Sequence, residues 1–167
     1  ADAAMVLGFE GTGTNTMIAG YAAGALAGAE DVLNLDLSGA TAVSVTVDAG
    51  FESISVNTGG ATIAGGAAAT AASDIDALTV PGVNKATIIG DGALDIATGV
   101  ASGMTTLDAS GMSGAMTMGT PNATTGYVAV TAMSGAAAGS TIKLGTGADS
   151  IGFTSTTNAT SKTDSIK

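Results

Sequence analysis

The chain has 167 residues, room for one ordinary domain or two small ones, and it is rich in small side chains: 26 glycines, aromatics at 3 %, and no Trp, Cys or His. Four lysines, no arginine and fourteen acids leave a net charge of −10, which argues against nucleic acid, since that partner needs clustered cationic side chains. No 18-residue apolar run is free of glycine and polar breaks, so membrane insertion is not expected, and the missing Cys and His remove a disulfide framework and nearly all zinc chemistry.

Side chains this small do not fill a thick globular core, but they suit a narrow interior where opposing strands lie close together. The acid excess fits calcium, or plain solubility in a salty exterior. Ala1-Asp2-Ala3-Ala4 lacks the basic start and apolar run of a signal peptide. A chain that starts without Met and stops in mid-pattern at Ile166-Lys167 is expected to be a piece of something longer.

Residues 1–31 are expected to be irregular. Gly11-Thr12-Gly13-Thr14-Asn15-Thr16 has loop composition. A short helix over Met17–Ala29 would carry Gly20, Gly24 and Gly28, each costing about 1 kcal/mol. From Val32 the alternation of apolar and polar residues is clean: Leu33, Leu35 and Leu37; Val43, Val45 and Val47; Ile54 and Val56. These are half-buried strands, stopped by Ser38-Gly39, Asp48-Ala49-Gly50 and Asn57-Thr58-Gly59-Gly60, with starts about ten residues apart. Ala61–Asp76 reads as a strand followed by a loop. Further strands are predicted at Leu78–Val80, Ala86–Ile89, Leu94–Ile96, Thr105–Leu107, Met116–Met118, Tyr127–Val130, Ile142–Leu144 and Ile151–Phe153, with Pro81 and Pro121 in corners. After Phe153 the Ser/Thr/Asn-rich chain is expected to fray or to enter another module.

The predicted class is therefore all-β. The arrangement expected is a right-handed parallel β-helix, a β-solenoid over residues 32–153 with Gly- and Asp-rich corners, between an irregular segment 1–31 and a tail 154–167. Small residues in corners of mixed length and few two-residue hairpin signals favour coils that each bury an apolar face on the one before. An antiparallel β-sandwich is the alternative, disfavoured by the scarcity of large aromatics.

One corner recurs: Leu35-Asp36-Leu37-Ser38-Gly39, Val47-Asp48-Ala49-Gly50 and Leu107-Asp108-Ala109-Ser110-Gly111. An Asp at a strand end folds its carboxylate onto the N–H two residues on, an Asx-turn before the glycine. Alternatively, carboxylates of adjacent coils surround calcium, which takes six to eight oxygens. Asp91 and Asp95 are further candidates, at a spacing one residue off the calcium-binding nonapeptide. That nonapeptide, G-G-x-G-x-D-x-U-x with U apolar, is matched at Gly145-Thr146-Gly147-Ala148-Asp149-Ser150-Ile151 except that Leu144 replaces the first glycine. There the glycines allow a tight turn whose carbonyls converge, and Asp149 adds a hard anionic oxygen; a simple glycine turn is the plainer alternative.

For catalysis the inventory is poor. There is no His base, no Cys nucleophile and no Arg clamp, and no lysine sits in a Ser-Lys motif. Asp74 and Asp76 share one strand face, as paired glycosidase carboxylates do, but without aromatic platforms for a sugar. Threonines cluster in the terminal loops instead of forming the regular ladder that ice binding needs.

Thr106-Leu107-Asp108-Ala109-Ser110-Gly111-Met112-Ser113-Gly114-Ala115-Met116-Thr117-Met118 resembles segments of large bacterial surface-layer and adhesin proteins of the RTX, type I-secreted class. Thr141–Ile151 is similar to the L-G-T-G-A-D-x-U units of the same proteins. Together they cover 24 of the 167 residues. The resemblance implies calcium-dependent folding after export and assembly into a surface lattice, although the nonapeptide occurs once and incompletely. The function expected is thus a non-enzymatic, extracellular structural module that associates with copies of itself, stabilised by Ca2+ at Asp149, Gly145 and Gly147 with Asp108, Asp91, Asp95, Asp48 and Asp36 as further ligands. An adhesin, or a polysaccharide-binding or -cleaving module on the same fold, is the alternative, with cell-surface polysaccharide as partner.

Overall fold

A computed structural model describes residues 3–22, 24–59, 72–97, 106–118, 121–122, 126–127, 141–147, 150–151 and 165–166. Among these residues every regular element is a strand: β1 (Ala4–Glu10), β2 (Asn15–Ala19), β3 (Val32–Ser38), β4 (Val43–Val47), β5 (Ser53–Asn57), β6 (Ser73–Thr79), β7 (Lys85–Gly90), β8 (Leu94–Ile96), β9 (Thr106–Met112), β10 (Met116–Met118), β11 (Pro121–Asn122), β12 (Gly126–Tyr127), β13 (Thr141–Lys143), β14 (Ser150–Ile151) and β15 (Ser165–Ile166). No described helix is long and apolar enough to cross a membrane.

The strands alternate between two parallel sheets. One runs β1-β3-β5-β7-β9-β13-β15 and the other β2-β4-β6-β8-β10-β14, while β11 and β12 form a separate antiparallel pair. Each step of two strands lengthens both sheets by one. The antiparallel sandwich falls on this point, since all neighbours in both large sheets run parallel. Parallel neighbours cannot be joined by a tight hairpin, and here the connection is a visit to the opposite sheet.

Alternation puts one side chain in two between the sheets. Leu33, Ile54, Ala86 and Leu107 stand in register in one inner row, and Leu35, Val56 and Ile88 in the next. Facing them are Val43, Ile75 and Ile96. All are buried in one continuous cluster with Phe9, Phe51, Leu94, Met112 and Met116. At about 25 cal/mol per Å² of apolar surface removed from water, these rows drive the pairing of sheets whose outer faces are mostly polar, with Val6, Ile18 and Ile89 exposed there.

Two bulges correct the period where the sequence breaks it. Between β4 and β6 the register passes from Val43↔Ile75 to Ser44↔Ala77, which makes Asp76 the extra residue of β6. The extra residue turns Leu78 and Val80 inward in place of Ala77 and Thr79. Between β7 and β9, Thr87↔Asp108 is followed by Ile89↔Gly111, which returns Met112 to the core.

Several expectations are corrected. Residues 1–31 are not a partly helical lead-in: β1 pairs over its whole length with β3, and β2 with β4, so the alternating Met5, Leu7 and Phe9 join the inner rows. Leu107–Gly111 is not a corner, because bulged β9 continues to Met112. Pro81 does lie in a corner, but Pro121 lies on β11 opposite Tyr127, a short pair whose edges tolerate a missing N–H. Ser165–Ile166, expected in a fraying tail, forms β15 and pairs parallel with β13. The strand expected from Ala61, residues 128–130 of the Tyr127 strand and Phe153 lie outside the described residues.

Candidate metal site at the strand-ending corners

The corners that leave the first sheet are stacked backbone on backbone. The N–H of Ser113 donates to the Gly90 carbonyl at 2.9 Å, and that of Thr146 to the Met112 carbonyl at 3.0 Å. Gly114 lies on the carbonyl of Gly92, and Gly147 on the carbonyl of Gly114, so closely that a Cβ at either position would overlap it. A Cβ on Gly145 would meet the carbonyls of Met112 and Ala109. The nonapeptide glycines are therefore required by contact with the preceding corner, and the carbonyls beneath them face glycine Cα atoms. Asp149, the candidate at the end of this corner, lies outside the described residues.

The other candidates are dispersed. Asp36 stands on the outer face of the first sheet, between Gly8 of β1 and Asn57 of β5. Asp48 follows β4; its N–H donates to the Ala19 carbonyl at 3.2 Å, and its carboxylate lies over Gly20. There, burial first and the Asp48 charge second raise the pKa of Tyr21, whose ring meets Phe51 edge to face at 5.3 Å. Asp91 presses its carboxylate against Gly59. The same corner is pinned by buried Thr58, whose N–H donates to the Ile89 carbonyl and whose hydroxyl donates to the Gly92 carbonyl, each at 2.9 Å.

Asp108 makes the local contact expected of an Asx residue, inside the β9 bulge. Its Oδ1 accepts the Ser110 N–H at 3.1 Å and the Ser110 hydroxyl at 2.5 Å. Its Oδ2 accepts from Lys143 Nζ at 2.7 Å across the β9–β13 pair. The hydrogen bond from Lys143, then those from Ser110, lower the Asp108 pKa to about 2. An ammonium in hydrogen-bond contact already balances this carboxylate.

Asp95 stands on the outer face of the second sheet, directly opposite Asp74. Asp74 and Asp76 do share that face, and burial, with the charges of Asp76 and Asp95, raises the Asp74 pKa. Even so, among the described residues no three Asp, Glu, His or Cys side chains form a group able to hold a metal ion. The five described carboxylates do not fit a shared calcium site, because each projects from a different strand or corner.

Two acids that the motifs did not single out organise the opposite corner. Asp31 is fully buried; its carboxylate accepts the N–H groups of Ala3 and of Gly28, the latter at 3.1 Å. Its own N–H donates to Glu52 Oε2 at 2.7 Å, and its carbonyl accepts from Glu52 and Ser53. Three successive strands of the first sheet, β1, β3 and β5, are thereby tied at their entrances. The only signal was the position of Asp31 before the alternating run from Val32; Gly28 lies three residues away, but its partners at the entrances of β1 and β5 lie 21–28 residues away.

Fold and corners define an all-β protein of two parallel sheets that lengthen together over glycine-stacked corners. Comparison with protein families, curated proteins and solved structures finds no match.

Proposed function

We propose that the chain is a non-enzymatic structural module of a bacterial surface layer or extracellular filament, folded as a right-handed parallel β-solenoid and working by self-association. The observation that carries this reading is strand order: each repeat adds one parallel strand to each sheet in sequence order, so added sequence becomes added length. The polar outer rows Asn34–Ser55–Thr87 and Ser53–Lys85–Thr106 support a surface presented repeatedly to neighbours. The resemblance of Thr106–Met118 and Thr141–Ile151 to surface-layer segments points the same way.

The calcium part of the proposal is confined to Asp149 and the corner that carries it, because the described carboxylates have partners or positions of their own. Light scattering of the purified chain against calcium concentration, with thermal melts in chelator and in magnesium, tests the reading. Association that grows with calcium, and a melting temperature that falls in chelator and is not restored by magnesium, are expected. A chain that stays monomeric at high concentration with calcium present sinks the structural reading. An unchanged melt in chelator removes calcium alone.

A further inference from the structure

We propose that copies of this chain pack side by side, the outer face of the first sheet of one against the outer face of the second sheet of the next, with Lys85 of one copy meeting Asp74 and Asp95 of its neighbour. The inference rests on the self-associating reading above and gives it a surface and a direction. The faces concerned belong to β3–β8, strands with a neighbour on both edges. Their edges are occupied, so their outer faces are what a partner can reach.

Charge is the first support, and it divides by face. Asp74, Asp76 and Asp95 stand together on the outer face of the second sheet, and no strand of that sheet carries a lysine. Burial first, then the charges of Asp76 and Asp95, raises the Asp74 pKa, as for carboxylates with no cation at hand. Both described lysines, Lys85 on β7 and Lys143 on β13, belong to the first sheet. Lys143 is held by Asp108 at 2.7 Å, whereas Lys85 is exposed and has no ion-pair partner among the described residues. Its neighbours in the row are Ser53 and Thr106. The acids of this face lie on other strands, Glu10 on β1, Asp36 on β3 and Asp108 on β9.

Shape is the second support. No aromatic residue occurs on β3–β8, and the side chains around the charges are short. On the second face Thr46 stands beside Thr79 and Ser44 beside Ala77. On the first, Asn34, Ser55 and Thr87 form one row. Faces of this kind can approach to the roughly 10 Å at which sheets pack, which brings a lysine on one within reach of carboxylates on the other.

The partner follows from where the two halves lie. β7, which carries Lys85, comes between β6 and β8 in the chain, so the cation and the carboxylates belong to one repeat and face opposite ways. Every copy therefore offers both halves of the contact, and a second copy satisfies them without any other component. Two first faces would set Lys85 against Lys85, and two second faces would oppose carboxylates. The favoured contact is heterologous and does not close on itself, so it continues from copy to copy into a layer.

The test is sedimentation velocity of the full chain over a range of protein and salt concentrations. A series of oligomers continuing past the dimer is expected, weakening as salt screens the facing charges. Lys85→Glu and Asp95→Lys should each lower the association constant by about tenfold or more. Neither should lower the thermal melt, since Lys85 has no described ion pair to lose and Asp95→Lys sets a cation opposite Asp74. Mixing the two variants should restore association, because each then supplies the charge that the other has reversed. Association that stops at a dimer, ignores both substitutions or is not restored in the mixture overturns this packing and leaves the surface-module reading in place. A chain monomeric under every condition overturns both.

Discussion

Asp74 and Asp108 are carboxylates on outer sheet faces whose surroundings act with opposite sign. Asp74 has Asp95 directly across the β6–β8 pair and Asp76 two residues on, and its pKa is raised by burial and by those charges. Its contribution to stability is full below the ordinary carboxylate value and is lost as pH rises through the raised one. Asp74→Asn should therefore raise the melting temperature at pH 7, by about 1–2 °C for so exposed a site, and the gain should vanish near pH 3. Asp108, held near 2 by Lys143 and Ser110, contributes stability above the ordinary value that is lost as pH falls toward 2. A carboxyl-carbon NMR titration should place its midpoint near 2, and Lys143→Ala should return it only part of the way, because Ser110 still donates two hydrogen bonds.

Among the elements, glycine contacts and bulges are specific enough to be broken singly. Gly114 lies on the backbone of the preceding corner, while the next residue back, Ser113, is exposed. Gly114→Ala should cost about 1–3 kcal/mol in denaturant unfolding by forcing stacked corners apart, whereas Ser113→Ala should be near neutral. Deleting Asp76 removes an irregularity instead. The β4–β6 register then runs Val43↔Ile75, Ser44↔Ala77 and Val45↔Leu78 without a break, and strict alternation keeps Leu78 and Val80 inward. A melting temperature close to that of the parent is expected. A large fall would mean that the bulge itself, and not the facing of Leu78 and Val80, holds β6 in place. The bulge was not legible beforehand because Ile75-Asp76-Ala77-Leu78 fits neither strict alternation nor a turn; only pairing with β4 shows which residue is extra.

For the molecule as a whole, stability should be graded along the stack. Interior strands have neighbours on both edges and the outermost strands on one, so amide exchange should be slowest in β3–β7 and fastest in β1 and β2. Uniform protection from β1 to β9 would contradict that gradient. The sequence by itself determined the all-β class and the strands β3, β4, β5, β7 and β8, because period-2 runs of β-branched residues ended by glycine corners are local signals; Ser73–Asp76, expected in a loop, is the first half of β6. Val6 and Ile18 hid β1 and β2, since an apolar residue at an outward position erases the alternation that identifies a strand. The parallel arrangement that the small corners favoured is borne out, while the tertiary structure alone decided that odd and even strands separate and that the candidate carboxylates among the described residues do not converge. It also turned the nonapeptide glycines from a local turn requirement into a stacking requirement. The physical reason is the same throughout: each of these features is settled by a partner about 20–35 residues away in the adjacent repeat, while alternation and composition report only a side chain's nearest neighbours along the chain.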